Sequence, residues 1–295
     1  MTENRRAVLA SVTADRRAVL ASAVAVLAAA NVLNNRVAPR LAPLTSAAAT
    51  CALLALARRS GLSWSELGFH RGPRGLRIGG ALASAVAGVY AVGIAVPATR
   101  RFFRDERALS LSRARALEEA LLQVPVGTVL LEEVGFRGVL HALLARSHGP
   151  RTATAVSSAL FGLWHVLPAI DMMAANPALS GLAAGEPPGD GPRREDERQG
   201  EDGRREDGAA PDPPVRASPW EAVRVVAGSV AATGLAGVFF GELRRRGGLA
   251  APSLFHVATN SLGYLFARLA PAEPGSGGGR LTGAPGTGPE PPVRS

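Results

Sequence analysis

The sequence predicts an all-α, polytopic membrane helix bundle, and three observations carry that prediction. Hydrophobic residues make up 47% of the 295 residues but aromatics only 5%, so the apolar mass is chiefly Ala, Leu and Val. This mass gathers into long uncharged blocks of spanning length instead of alternating with polar residues as in a soluble domain. The blocks are flanked by short Arg-rich stretches, the charge distribution of a membrane protein.

Seven blocks are long enough, or nearly so, to cross a hydrocarbon core: 18–33, 41–57, 78–99, 120–144, 152–170, 225–241 and 247–267. The first follows a basic tail (1–17), in which Arg5-Arg6-Ala-Val-Leu-Ala-Ser recurs at Arg16-Arg17-Ala-Val-Leu-Ala-Ser. It is read as a retained span, because no clean small-x-small cleavage site precedes a soluble region. Residues 18–115 then form an N-terminal group of spans and interfacial segments. Among these, Ser63-Trp64-Ser65-Glu66-Leu67-Gly68-Phe69 and the Arg-rich stretch 100–115 are amphipathic enough to lie at the membrane surface.

Several spans are rich in Gly and Ala, which lets helices approach closely in lipid. Residues 181–217 are Gly, Pro and charge with almost no apolar content, so a disordered insert is expected there, and a disordered tail over 271–295. With that long insert discounted, the Arg balance between the two sides favours a cytoplasmic N-terminus.

Composition also excludes functions. A single cysteine, Cys51, rules out a disulfide framework and a Cys-rich metal site. The net charge of +9 comes from Arg residues bordering apolar blocks, not from a basic stripe interleaved with aromatics, so no nucleic-acid partner is expected. The expected partners are membrane lipid and a membrane-associated peptide or protein.

The fourth block is abnormal because Glu132, Glu133 and Arg137 sit inside it. An ionisable side chain at the middle of a membrane helix costs on the order of 2.5–3.5 kcal/mol. Glu133 and Arg137, four apart, share a helix face and can neutralise each other. Glu132 is turned about 100° away and has Phe136, not a cation, four residues on. The fifth block carries His165 in Phe161-Gly-Leu-Trp-His165, and the seventh carries His256 and Asn260 one turn apart.

Depth links these groups. Measured from the side bearing loop 146–151 at 1.5 Å per residue, Glu132 lies about 21 Å in and His165 about 20 Å. On the same rise His256 lies about 13 Å and Asn260 about 20 Å in, so one layer holds all four. Glu118-Glu119 reads as a solvated helix start, and Asp171 as a group closing the end of the fifth span. His70, His141 and His148 are read as bystanders.

A carboxylate and a histidine in a protected site can together activate a water molecule, and a second His with an Asn can supply donors to a developing oxyanion. That chemistry is acyl-bond hydrolysis without a covalent intermediate. The same residues leave two other readings open. Glu132, His165 and His256 could hold zinc, since two His and one Glu form a known catalytic ligand set. The polar groups could also be a salt-bridge cluster in a non-catalytic immunity or scaffold protein. A proton-coupled transporter would need repeated halves with broken helices, and no such symmetry is visible.

Glu132-Glu133-Val-Gly-Phe136-Arg137 resembles the E-E-x-x-x-R signature of the CPBP family, which comprises CAAX proteases and bacteriocin-processing enzymes. Phe161-x-x-x-His165 and His256-x-x-x-Asn260 are similar to its second and third motifs, in the same order on separate spans. The resemblance covers roughly residues 118–268, interrupted by the charged insert, which is a departure from the family pattern. It implies an intramembrane glutamic endopeptidase, with about eight helices around a polar intramembrane cavity. Together with the seven blocks, this sets the expectation at about 7–8 transmembrane helices.

In that pattern Glu132 is the general base working with His165, Glu133 and Arg137 orient the site, and His256 and Asn260 form the oxyanion hole. No cofactor is expected to be required, with zinc on Glu132, His165 and His256 as the alternative. The expected location is the cell membrane, as a multi-pass protein.

Overall fold

The computed structural model describes residues 2–175, 180–181, 183–185 and 219–270. Most of the expected insert, and the whole expected tail 271–295, lie outside the described residues. Every regular element among the described residues is helical. The first helix, α1, runs Thr2–Val32 and ends in a wide turn over Leu33–Val37. It is followed by α2 (Ala42–Arg59) and α3 (Gly72–Ala95). A helical rod over 113–148, here α4, leads to α5 (Pro150–Trp164) and α6 (Val166–Ala175). The chain closes with α7 (Pro219–Gly247) and α8 (Ala250–Leu269). Proline stands in the first turn of α2, α3 and α5, where its missing N–H costs nothing and its fixed φ starts the helix.

Among the described residues, five helical segments are long and apolar enough to cross a membrane: Asp15–Val37, Pro39–Arg59, Gly72–Ala95, Pro150–Met173 and Ala222–Gly247. The protein is therefore a multi-pass membrane protein, with five such segments where the sequence suggested about 7–8. The difference falls on α4 and α8, which carry the ionisable and polar side chains that lower their apolar character. The expected basic tail is continuous with the first span as one helix. The start of the expected insert is packed, since Ala183 lies against α7 at Gly228 and the Ala184 carbonyl accepts a hydrogen bond from Arg224 at 2.6 Å.

The rod α4 is not a regular α-helix. Residues Glu119–Val129 and Glu133–Leu140 follow the wider i→i+5 pattern, a form that is rare and concentrated at functional sites. Pro125 lies in the first of these stretches and has no N–H to give to the carbonyl five residues back, at Ala120. That carbonyl accepts the Ser261 hydroxyl of α8 at 2.7 Å. Ser157 of α5 likewise donates to the Phe136 carbonyl at 2.8 Å. Within lipid an irregular helix survives only if neighbours satisfy its polar backbone groups in this way.

Close packing fixes the helices around the rod. A Cβ at Gly75 would stand 2.1 Å from the Gly247 carbonyl oxygen, and one at Gly79 would stand 2.8 Å from Leu254 Cβ. These two glycines, four apart, let α3 lie directly on α8. Gly162 of α5 makes the same kind of approach to α7, where a Cβ would lie 2.6 Å from the Val230 carbonyl oxygen. The buried core between the helices includes Leu27, Leu53, Leu131, Phe136, Leu140, Phe161 and Phe240.

Each end of the bundle is tied separately. At one end, Ser63 and Glu66 bond reciprocally, with Glu66 Oε2 accepting from Ser63 N–H at 2.8 Å. Arg146 at the end of α4 then clamps Glu66 at 2.7 Å. The segment expected at the membrane surface is anchored here: Leu62 and Leu67 are fully buried, while Trp64 and Phe69 stay exposed and meet edge to face at 5.4 Å. At the other end Arg36 pairs with Asp171 at 3.0 Å, so Asp171 does close the fifth block. Arg268 donates to the Ala108 carbonyl at 2.9 Å and so ties the 100–115 stretch to α8.

Two predictions follow from this packing. Gly75→Ala forces α3 and α8 apart and should cost about 1–3 kcal/mol of stability. Gly80→Ala, where a Cβ meets nothing within 4 Å, should not be destabilising; thermal unfolding in detergent compares the two. The second concerns Glu66, whose carboxyl the Arg146 hydrogen bonds hold down to about 2 from an ordinary 4.5. A depressed carboxylate stabilises the fold above its ordinary range and loses that effect as it is protonated. The unfolding midpoint should therefore fall between pH 4.5 and 2, and fall less in Glu66→Gln.

Candidate active site

The site assembles where α4, α5 and α8 meet. Proline explains its central irregularity. Pro168 in α6 has no N–H for the carbonyl four residues back, so the helix breaks at His165, between α5 and α6. The released Trp164 carbonyl accepts Asn31 Nδ2 of α1 at 2.8 Å. The break turns Trp164 and His165 toward the rod. Trp164 Nε1–H donates to Glu132 Oε1 at 2.8 Å.

Glu132, Glu133 and Arg137 are each at most 3% exposed. His256 of α8 stands between the two carboxylates. Its Nδ1 lies 2.8 Å from Glu133 Oε1, and its Nε2 lies 3.7 Å from Glu132 Oε2. Since an ionised carboxylate can only accept, Nδ1 carries a proton and donates to Glu133. Arg137 Nη1 lies 3.6 Å from Glu133 Oε1, and the guanidinium is stacked between two rings, 3.7 Å from the Phe161 centroid and 4.7 Å from that of Phe240. A weakly hydrated planar cation suits such an aromatic slot. Among the described residues Glu132 Oε2 has no hydrogen-bond partner, and neither has Glu133 Oε2.

His165 points its Nδ1 at the Phe161 carbonyl, 2.8 Å away, and its ring packs edge to face on Phe161 at 4.6 Å. A carbonyl can only accept, so Nδ1 holds the proton and Nε2 is left as an acceptor. Glu132, His165, His256 and Asn260 all line one recess of about 940 Å³. Glu133 and Arg137 stand behind its wall. The recess is bounded by Phe239, Phe255 and Tyr264 and, further along, by Asp105, Arg107 and Glu119.

The structure thus places Glu132, His165, His256 and Asn260 on one recess, with His256 3.7 Å from Glu132 and with Glu133 and Arg137 outside its lining. It arranges two of them differently from the expectation. Glu132, expected to be the unpaired carboxylate, shares one oxygen with Trp164 and keeps only Oε2 bare. His256, expected beside Asn260 as an oxyanion donor, has its two ring nitrogens turned to the carboxylates, while Asn260 is exposed to the recess. Among the described residues no group of three His, Cys, Asp or Glu side chains is arranged to hold a metal ion, and this includes the expected zinc set of Glu132, His165 and His256.

Sequence reasoning missed Trp164, Asn31, Phe240 and Glu119. Pro168 was a readable signal for the first two, because a proline four residues after Trp164 must orphan its carbonyl. Phe240 had no signal, since its role depends on which face of α7 meets Arg137. Glu119 read as a solvated helix start, yet it pairs with Arg115 at 3.1 Å and also lines the recess.

A multi-pass membrane protein with a buried carboxylate–histidine cluster facing a recess is the class that fold and site define. Residues 120–262 match the family model described as type II CAAX prenyl endopeptidase Rce1-like. The matched segment holds all six motif residues and excludes α1, α2 and α3. No curated protein and no solved structure matches the chain.

Asn31→Ala should leave the Trp164 carbonyl buried without a donor and cost about 1–3 kcal/mol. Pro168→Ala in the same chain restores an N–H to that position. The double variant should therefore regain part of the loss, and unfolding of the single and double variants in detergent measures the coupling.

Proposed function

We propose that the chain is an intramembrane endopeptidase that hydrolyses a peptide bond in a membrane-associated protein or peptide, using a water molecule activated by Glu132 and His165. One observation carries the reading: of Glu132, Glu133 and Arg137, Glu132 alone lines the recess, with Oε1 fixed by Trp164 and Oε2 without a hydrogen-bond partner among the described residues. A carboxylate held at one oxygen and free at the other is oriented for proton transfer.

His165 Nε2 accepts one hydrogen of the water, and Glu132 Oε2 removes a proton from it. The water oxygen bonds to the carbonyl carbon, and the carbonyl electron pair moves onto its oxygen. Asn260, which lines the recess, donates to that oxyanion through Nδ2–H. His256, whose Nδ1 is held by Glu133, is the second candidate donor to it. When the carbon–nitrogen bond breaks, the proton held by Glu132 passes to the leaving nitrogen, giving an acid and an amine.

Glu133 and Arg137 act from behind the wall by holding His256. On this reading α4 and α8 also cross the membrane, and residues 118–268, apart from the insert, form the protease core. The substrate is reached from within the membrane, and the plasma membrane is the proposed location.

The test uses the full chain in liposomes with membrane peptides and native membrane proteins, with new termini read by mass spectrometry. Glu132→Gln should slow cleavage by about a hundred- to ten-thousand-fold. A strong zinc chelator should leave wild-type cleavage unchanged. Equal cleavage by wild type and Glu132→Gln overturns the assignment of the base, and loss of cleavage with chelator overturns the metal-free mechanism.

A further inference from the structure

At the end of the bundle tied by Glu66 and Arg146, a groove of about 570 Å³ opens between α1, α2 and the last turns of α4. Its lining is ordered by depth on all three helices. Asp15, Arg16 and Arg17 lie at the mouth on α1, with Val19 and Leu20 one turn further into the bundle. Arg59 and Ser60 close the end of α2, with Leu56 one turn deeper. Arg146, Ser147 and His148 end the rod, with Leu143 one turn deeper. A turn of helix rises about 5.4 Å, so a charged layer sits directly above an apolar layer. That polarity matches a phospholipid, with its headgroup out and its acyl chain in.

Charge selects among phospholipids. Among the described residues, Arg16, Arg17 and Arg59 make no hydrogen bond or ion pair, whereas their neighbours at the same end are engaged. Arg146 is held by Glu66, Arg71 by the Arg245 carbonyl at 2.9 Å, and Arg58 lies 5.2 Å from the Trp64 ring centroid. With Asp15 counted against the three free guanidinium groups, the mouth carries two net positive charges. Arg binds phosphate oxygens through paired N–H donors, and basic pockets between membrane helices commonly take anionic headgroups.

We infer that this groove is a binding site for one anionic phospholipid, its phosphodiester held by Arg16, Arg17 and Arg59 and an acyl chain lying on Leu20, Leu56 and Leu143. The site stands at the opposite end of α4 from Glu119 at the recess, so it is independent of the protease reading.

The test titrates phosphatidylglycerol into the purified full chain in detergent, following the melting temperature and, by native mass spectrometry, the lipid retained. Phosphatidylcholine and inorganic phosphate are the comparison ligands. Wild type should retain one phosphatidylglycerol and show a saturable rise in melting temperature that neither comparison ligand produces. The triple variant Arg16→Gln, Arg17→Gln, Arg59→Gln should bind it about 100-fold more weakly. The control Arg74→Gln, Arg77→Gln, Arg151→Gln removes the same charge outside the groove and should bind as wild type does. Equal loss in both variants overturns the site in favour of general attraction, and an equal shift with inorganic phosphate overturns the lipid. Should the triple variant not fold, photoactivatable phosphatidylglycerol on wild type decides the matter. Label confined to 15–20, 56–60 and 143–148 supports the site, and label spread over other ends of the bundle overturns it.

Discussion

In a low-dielectric surrounding every backbone N–H and C=O needs a partner, and two prolines deny one at the centre of this protein. Pro125 leaves the Ala120 carbonyl to Ser261, and Pro168 leaves the Trp164 carbonyl to Asn31. Each replacement donor comes from a different helix, so each break is also a tie between helices. The breaks are what give the site its shape. The wide turns of α4 change which faces Glu132 and Glu133 present, and the break at His165 swings Trp164 onto Glu132. A pair of uninterrupted helices would satisfy its own backbone and would have no reason to hold these side chains at one place.

The charged cluster depends on that framework in turn. A buried ion is costly unless an opposite charge stands beside it. Here Glu133 meets His256 on one side and Arg137 on the other, and Arg137 is sandwiched by Phe161 and Phe240. Those rings come from α5 and α7, which are brought together by Gly162 lying against the Val230 carbonyl. The close glycine approach and the charge cluster are therefore mechanically linked, because widening the crossing of α5 and α7 opens the aromatic slot. The match to the CAAX protease family model covers most of α4, all of α5 and α7 and part of α8, and Asn31 ties α1, outside the matched segment, to Trp164.

Much of this was legible in the chain. The helical, membrane-spanning character followed from uncharged blocks of spanning length bordered by Arg. The candidate site residues were singled out by the cost of placing Glu, Arg and His among apolar neighbours. The convergence of Glu132, His165, His256 and Asn260 on one recess was anticipated from their shared depth. What local spacing did not show is the partner of Glu132, because Trp164 stands on another helix and reaches it across 32 positions.

The sequence by itself determined composition, periodicity and the two prolines, and so which segments are helical and where backbone partners go missing. It also determined that Glu133 and Arg137, four residues apart, would meet, since that contact is local. Tertiary structure alone decided who supplies the missing partners and which carboxylate faces the recess. Asn31 and Trp164 are 133 positions apart, and Glu133 and His256 are 123 apart. Contacts at such separation depend on the rotation and crossing of whole helices, which are set by close approaches such as those at Gly75 and Gly162 and leave no periodic trace along the chain.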